Sequence, residues 1–214
     1  MVKSDTLVVC IGIIILLSII LVGYTVQKNQ QPTVQYYKGS GGTYRVDLIH
    51  HGSSLDYYLH TFINNKEYVV AFRKSPADVA NVSMEPRIAD KLDRPKGIQV
   101  VYVTQSLILG NITDQDSIIA LAELGKILGR ADFSVFKLNY RSAFTEEDDH
   151  TKNLQIPRIT CANVTDQDAV IHLRLADETK VYSDEHQCII IQGKNGDELI
   201  RATYKFLYHL LGVF

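Results

Sequence analysis

The chain has 214 residues, of which 46% are hydrophobic and 21% charged, and its formal net charge at pH 7 is −2. A balance this close to neutral argues against a nucleic-acid-binding protein and against a polybasic membrane-surface patch, because both need clustered Lys and Arg. The residues at 43–214 are numerous enough to bury one self-sufficient core, so we expect one globular domain there.

An uncharged apolar run near the N-terminus dominates the hydropathy pattern. The sixteen residues from Leu7 to Val22 include thirteen Leu, Ile or Val. As a helix, the run and its neighbours would rise ~28 Å, close to the ~30 Å hydrocarbon core of a bilayer. The pattern therefore predicts a short tail at 1–5 and a transmembrane helix at Thr6–Val26. A cleaved signal peptide and a buried core helix are the alternatives; the run is long for a signal peptide and lacks a good small-x-small cleavage site.

The segments that flank this run do not indicate which side of a membrane the domain faces. Residues 27–42 are polar and end in Gly-Ser-Gly-Gly, which is typical of a flexible linker. Lys3 and Lys28 flank the apolar run on opposite sides, so the positive charges give no clear orientation. The orientation must therefore be inferred from the domain itself.

The domain carries signs of an oxidising compartment. Three N-x-[ST] triplets make Asn81, Asn111 and Asn163 candidates for N-glycosylation. Cys161 and Cys188 could pair as a disulfide, with two buried thiols as the alternative. Together these features favour a single-pass membrane protein whose globular domain lies outside the cytoplasm.

The elements of the domain alternate between strand and helix. Hydrophobic patterning predicts a mixed α/β (α+β) domain. The predicted strands are 44–49, 57–63, 67–73, 98–104, 133–138, 169–175, 180–182 and 187–192, with a turn at 64–66. The predicted helices begin at Ser83, at Thr113 or Asp114, and at Asp197, and the last two end at Leu128 and Leu211.

Two groups of side chains invite a metal-binding interpretation. The segments 111–118 and 163–170 share the pattern N-[IV]-T-D-Q-D and place Asp114 with Asp116 and Asp166 with Asp168. Neither copy has the further ligands of a calcium loop, so helix caps and turns are the favoured interpretation. The other group comprises His50, His51, Asp56 and His60. Adjacent histidines on a strand point to opposite faces, so we predict no metal site.

No local motif indicates a catalytic site or a cofactor. The chain has no glycine-rich phosphate motif, no H-E-x-x-H, no C-x-x-C and no nucleophile elbow, so no catalytic residue and no cofactor is predicted. Several tyrosines could form a partner-binding or sugar-binding face, with half-buried packing as the favoured alternative. They are Tyr57, Tyr58, Tyr68, Tyr204 and Tyr208.

The C-terminal third resembles a known class of proteins. The segments 159–165, 170–173, 188–193 and 200–212 look like the ending of uncharacterised single-pass archaeal envelope proteins, and they are more faintly similar to domains of archaeal surface-layer proteins. The resemblance covers about 55 residues and rests on apolar patterning and the cysteine pair. It implies an extracytoplasmic domain that can carry glycans, and it transfers no catalytic residue.

These observations predict a membrane-anchored envelope protein that acts as a binding or structural module. Its partners would be the membrane, through Thr6–Val26, and a protein or glycan of the envelope, with no nucleic acid. Two alternatives remain open. One is an anchored hydrolase-type enzyme, and the other is an accessory subunit of a membrane complex, in which Gly12 and Ser18 admit a neighbouring helix.

Overall fold

The predicted transmembrane helix is not found in the structure. The computed structural model describes residues 15, 17–20, 33–52, 54–94, 96–106, 115–146 and 155–214. Most of Thr6–Val26 lies outside the described residues, and those described within it, Ile15 and 17–20, are helical. None of the described helices is long and apolar enough to cross a bilayer. The fold class is corrected accordingly to a mixed, sheet-rich α+β domain.

The first half of the domain is a four-stranded antiparallel meander in the order β1-β2-β3-β4. Its strands are Thr33–Gly39 (β1), Gly42–His51 (β2), Ser54–Ile63 (β3) and Lys66–Phe72 (β4). The predicted hairpin turn at 64–66 is confirmed, because Asn64 and Asn65 have φ values of 51° and 61°, the left-handed conformation that tight hairpin turns require.

Strand β1 corrects the flexible linker predicted at 27–42. Residues 27–32 lie outside the described residues, but from Thr33 onward the chain is paired with β2, so that Gly39 faces Gly42. The pairing arises because Thr-Val-Gln-Tyr-Tyr is a β-prone sequence. The turn after β1 is also tied to the C-terminal end of the domain, where Gly41 N donates to Gly212 O at 3.1 Å.

The second half is a six-stranded mixed sheet in the order β5-β9-β10-β8-β6-β7. Strands β6, β7, β8 and β10 are parallel, whereas β9 runs antiparallel to β10. The strand bounds are Ser83–Met84 (β5), Val100–Gln105 (β6), Tyr140–Phe144 (β7), Asp168–Leu175 (β8), Lys180–Ser183 (β9) and Ile189–Gly193 (β10).

Two predicted elements of this half are wrong. The strand predicted at 133–138 is a turn, because the backbone N–H groups of Val135 and Phe136 bond to Ile127 O, and the strand begins at Tyr140 instead. The helix predicted from Ser83 is a two-residue strand followed by a 3₁₀ helix at Ile88–Leu92. Arg87 separates these two elements, since its φ of 59° cannot continue a right-handed helix.

In the described part of the domain there are three α-helices: Pro76–Val79 (α1), Gln115–Leu128 (α2) and Gly196–Leu210 (α3). Helix α3 joins the two sheets. Phe72 of β4 packs against Tyr204 and Tyr208 of α3, with ring centroids 5.5 and 4.2 Å apart. Both tyrosines are fully buried, so these two belong to the core. The hydrophobic side chains of both sheets, α2 and α3 form one continuous core.

Candidate functional site

A polar groove of about 610 Å³ opens where β9 and α3 begin. Gly193 makes this junction possible, because a Cβ atom there would lie 2.2 Å from Leu199 N. The close approach of β10 to α3 places Lys194 and Asn195 at the rim, and the Asn195 side chain caps α3 by accepting from Glu198 N at 3.0 Å. The lining residues are Asn81, Val82, Ser83, Glu178, Thr179, Lys180, Lys194, Asn195, Glu198 and Arg201.

Arg201 organises one wall of the groove. Its guanidinium donates to Asn81 Oδ1 at 2.6 Å, to Asp78 O at 2.9 Å and to Glu198 Oε1 at 2.5 Å. Burial raises the pKa of Glu198, but hydrogen bonds from Thr179 and Arg201 outweigh it, so the net pKa is lowered. The wall therefore presents an ionised carboxylate, an amide and a guanidinium in fixed positions.

The opposite wall carries the other charges. Lys180 Nζ lies 2.6 Å from Glu178 Oε2, and this hydrogen bond lowers the pKa of Glu178. Lys194 is exposed and forms no ion pair with any described residue. With three cationic and two carboxylate side chains, the groove has an excess positive charge, although the whole chain is negative.

A second cluster surrounds the two predicted cysteines. Cys161, in a 3₁₀ turn, and Cys188, just before β10, lie at disulfide distance, with their Cα atoms 5.2 Å apart. Two further groups are close by. Asp184 brings a carboxylate oxygen within 4.8 Å of both sulfurs, and His172 Nδ1 lies 4.0 Å from Cys161 Sγ. Burial, followed by the charge of Arg174, lowers the pKa of His172.

The predicted group of His50, His51, Asp56 and His60 is not brought together. His51 lies 3.9 Å from Asp56 at one end of the β2–β3 hairpin, whereas His60 lies near the other end. The partners of His60 are two acidic residues that the sequence reasoning missed, Asp47 at 3.1 Å and Glu67 at 3.0 Å.

The register of the two hairpins would have predicted that Asp47 and Glu67 contact His60. Arg45 pairs with His60 across β2 and β3, which puts Asp47 on the diagonal, and Val69 pairs with His60 across β3 and β4, which does the same for Glu67. Arg45 also binds Asp47 at 2.7 Å, so the carboxylate is already engaged by a cation.

The candidate glycosylation sites have different environments. Asn81 is exposed at the groove but accepts a hydrogen bond from Arg201. Asn163 is exposed, and its Oδ1 accepts from Thr160 N at 2.8 Å. Asn111 lies outside the described residues, as does Asp114 of the first acidic segment.

The acidic residues that the structure describes in the two related segments have structural contacts. Asp116 abuts Gly196 at the start of α3, where a Cβ atom would lie 1.9 Å from Asp116 Oδ2. Asp166 pairs with Lys96 at 3.2 Å. Thr165 Oγ1 accepts from Asp168 N at 2.9 Å, which is the turn interaction favoured for the second segment.

Comparisons with protein-family models, with curated proteins and with solved structures give no match for this chain. The chemistry assigned to the groove and to the cysteine cluster therefore rests on the contacts within the chain itself.

Proposed function

We propose that the chain is a binding module of an extracytoplasmic compartment such as a cell envelope, and that it binds an acidic carbohydrate in the groove beside α3. The observation that carries this proposal is the fixed arrangement of Asn81, Glu198 and Arg201 in an open groove with excess positive charge. The proposal assigns no reaction to the chain.

The size and chemistry of the groove suit a sugar. Ligand sites typically enclose ~300–1,000 Å³, and the groove falls within that range at about 610 Å³. Amide, carboxylate and guanidinium groups offer paired donors and acceptors in one plane, which match neighbouring sugar hydroxyls. The walls that Arg201 and Lys180 help to form supply such groups from both sides.

The charge of the groove favours an acidic sugar over a neutral one. Lys194 is exposed at the rim and forms no ion pair with a described residue, although its charge helps to lower the pKa of the nearby Glu178, so its ammonium group can reach a ligand. The N-terminal end of α3 opens at the same rim, and a helix N-terminus favours negative charge. A uronic acid residue would place its carboxylate near Lys194 while its hydroxyls meet Asn81 and Glu198.

The cysteine pair supports an extracytoplasmic, oxidising compartment. Disulfides persist in oxidising environments and are rare where thiol reductants are abundant. Cys161 and Cys188 lie at the distance that a disulfide needs. The exposed side chain of Asn163 is accessible to a glycosylating enzyme.

The binding proposal can be tested by calorimetric titration of the purified chain with oligosaccharides of equal length, one series of uronic acids and one of neutral hexoses. We expect binding of the acidic series, and Lys194→Glu should weaken it at least tenfold, or about 1.4 kcal/mol. Lys38→Glu is the matched control, because Lys38 is also exposed but lies on β1, outside the groove. Equal binding by Lys194→Glu and the wild type would contradict the proposal, as would failure of every acidic sugar to bind.

The compartment is tested separately on protein isolated from its natural source. Mass analysis with and without reductant reports the Cys161–Cys188 bond, and peptide mapping reports sugars on Asn81, Asn111 or Asn163. We expect a two-hydrogen mass difference from the disulfide. Free thiols together with unmodified asparagines would contradict the extracytoplasmic assignment.

A further inference from the structure

We propose that the reduced form of the cysteine pair is a zinc site, in which the sulfurs of Cys161 and Cys188, His172 Nδ1 and a carboxylate oxygen of Asp184 bind one Zn²⁺. Three of these ligand atoms already lie within 4.8 Å of one another, and His172 Nδ1 is 4.0 Å from Cys161 Sγ. This inference is independent of the sugar-binding groove.

The four residues converge because of the strand order. Cys188 immediately precedes β10, and Ile190, two residues later on the same face, is paired with His172 of β8. Asp184 lies in the connection between β9 and β10, and Cys161 lies in a 3₁₀ turn that packs against β8. Residues from four separate segments therefore surround one point on the sheet face.

The donor set fits zinc. Zn²⁺ prefers tetrahedral sites of thiolate, imidazole and carboxylate ligands, whereas Ca²⁺ and Mg²⁺ require oxygen ligands. Two ligands at zinc–sulfur and zinc–nitrogen distances of ~2.3 and ~2.0 Å are ~3.5 Å apart in a tetrahedron. The 4.0 Å separation of Cys161 Sγ and His172 Nδ1 is already close to that value.

The carboxylate is held in place by the backbone. Asp184 Oδ1 accepts hydrogen bonds from Cys188 N at 2.9 Å and from His186 N at 3.0 Å. These bonds fix the side chain and leave its second oxygen for a metal. Such outer hydrogen bonds orient metal ligands in known sites and strengthen binding.

The metal and the disulfide exclude each other, since both use the same two sulfurs. A dithiol reductant supplies two electrons and two protons to the Cys161–Cys188 bond and becomes a disulfide itself. Zn²⁺ then displaces the two thiol protons, which pass to solvent, and binds the two thiolates. The sulfurs move apart as the metal enters, and the half-exposed position of Cys161 leaves room for this movement.

The test uses the full chain, prepared in disulfide form and in reduced form under a phosphine reductant. Zn²⁺ is titrated against a chromophoric chelator, and Co²⁺ is used as a spectroscopic probe for thiolate ligation. We expect one Zn²⁺ per reduced chain, no binding by the disulfide form, and a Co²⁺ spectrum with thiolate charge-transfer absorption and tetrahedral bands.

His172→Gln should weaken Zn²⁺ binding at least tenfold, because it removes one ligand. His186→Gln should not, since the exposed His186 ring lies 3.7 Å from Glu185 and contacts neither sulfur among the described contacts. Should reduction unfold the chain, Zn²⁺ should restore its helical circular dichroism. The proposal is overturned if the reduced wild type binds Zn²⁺ no more tightly than His172→Gln, or if the Co²⁺ spectrum lacks thiolate absorption.

Discussion

The two sheets of this domain use their faces differently. The inner face of the four-stranded meander joins the core at α3, while its outer face exposes apolar side chains, with Tyr36 69% and Phe62 71% exposed. The six-stranded sheet packs one face on α2 and α3, and its other face carries His172, which contacts the cysteine cluster. The meander therefore contributes mainly packing, whereas the larger sheet, its connecting loops and the start of α3 carry the candidate binding groups.

The substitution expected to lower stability most disrupts the packing that joins the two sheets. Phe72→Ala should lower the free energy of unfolding by about 3–5 kcal/mol, the usual cost of removing a buried phenyl ring. Phe72 is 1% exposed and packs against both Tyr204 and Tyr208, so its loss leaves a cavity between β4 and α3. Urea unfolding followed by circular dichroism measures the change. A loss below about 1 kcal/mol would mean that the meander is not coupled to α3 as described.

The next largest effect on stability comes from the Cys161–Cys188 pair, which lies beside the six-stranded sheet. Cys161 and Cys188 are separated by 27 residues in sequence. On the chain-entropy relation, closing such a loop stabilises the fold by about 3.5 kcal/mol. Reduction of the wild type in the presence of a metal chelator should lower the free energy of unfolding by about that amount. A Cys161→Ala/Cys188→Ala double variant is the control, since reductant should leave its stability unchanged. Equal stability of the oxidised and reduced wild type would show that no bond had formed.

The sequence predicted the parts of this fold that local signals determine. The β3–β4 hairpin is confirmed because Asn64 and Asn65 specify their own turn, and the helix expected at 197–211 is confirmed at Gly196–Leu210 because its cap and apolar stripe are both local. The strand expected at 133–138 was wrong because backbone bonds from that segment to the end of α2 override its β propensity.

The candidate sites also divide into features that local sequence signals predict and features that depend on contacts between distant segments. An even count of cysteines outside the apolar run was enough to predict that Cys161 and Cys188 could pair. The groove could not be predicted in this way, because Asn81 and Arg201 are 120 residues apart and only the packing of α3 against the segment before β5 brings them together. Asp184 likewise lies in the connection between β9 and β10, and no sequence spacing relates it to Cys161 or His172.

A smaller effect concerns the charged cluster on the outer face of the meander. The hydrogen bond from Arg45 lowers the pKa of Asp47 most strongly, burial opposes this, and the bond with His60 lowers the pKa further. Because the pKa is lower in the folded state, the ionised Asp47 stabilises the fold above the unfolded value of about 3.9, and that contribution is lost as the pH falls through the folded pKa.

Asp47→Asn removes this titration. The free energy of unfolding of the variant should therefore fall less steeply than that of the wild type as the pH is lowered from about 5 to 2, with a smaller difference at pH 7 than reduction of the cysteine pair produces. Unfolding curves across this pH range measure both quantities. Parallel profiles for the two proteins would show that Asp47 does not contribute through its charge.

The smallest effect is expected for a substitution of Phe62, on the outer face of the meander. Phe62 and Phe72 lie on neighbouring strands, but Phe62 points to the outer face and Phe72 to the core. Phe62→Ser should change the free energy of unfolding by less than about 0.5 kcal/mol, because the exposed ring buries little surface that its loss could return to water. The same urea titration used for Phe72→Ala measures it, which makes the two phenylalanines controls for each other. A loss as large as that of Phe72→Ala would mean that the outer face is covered in solution, and the meander would then need a packing partner on both of its sides.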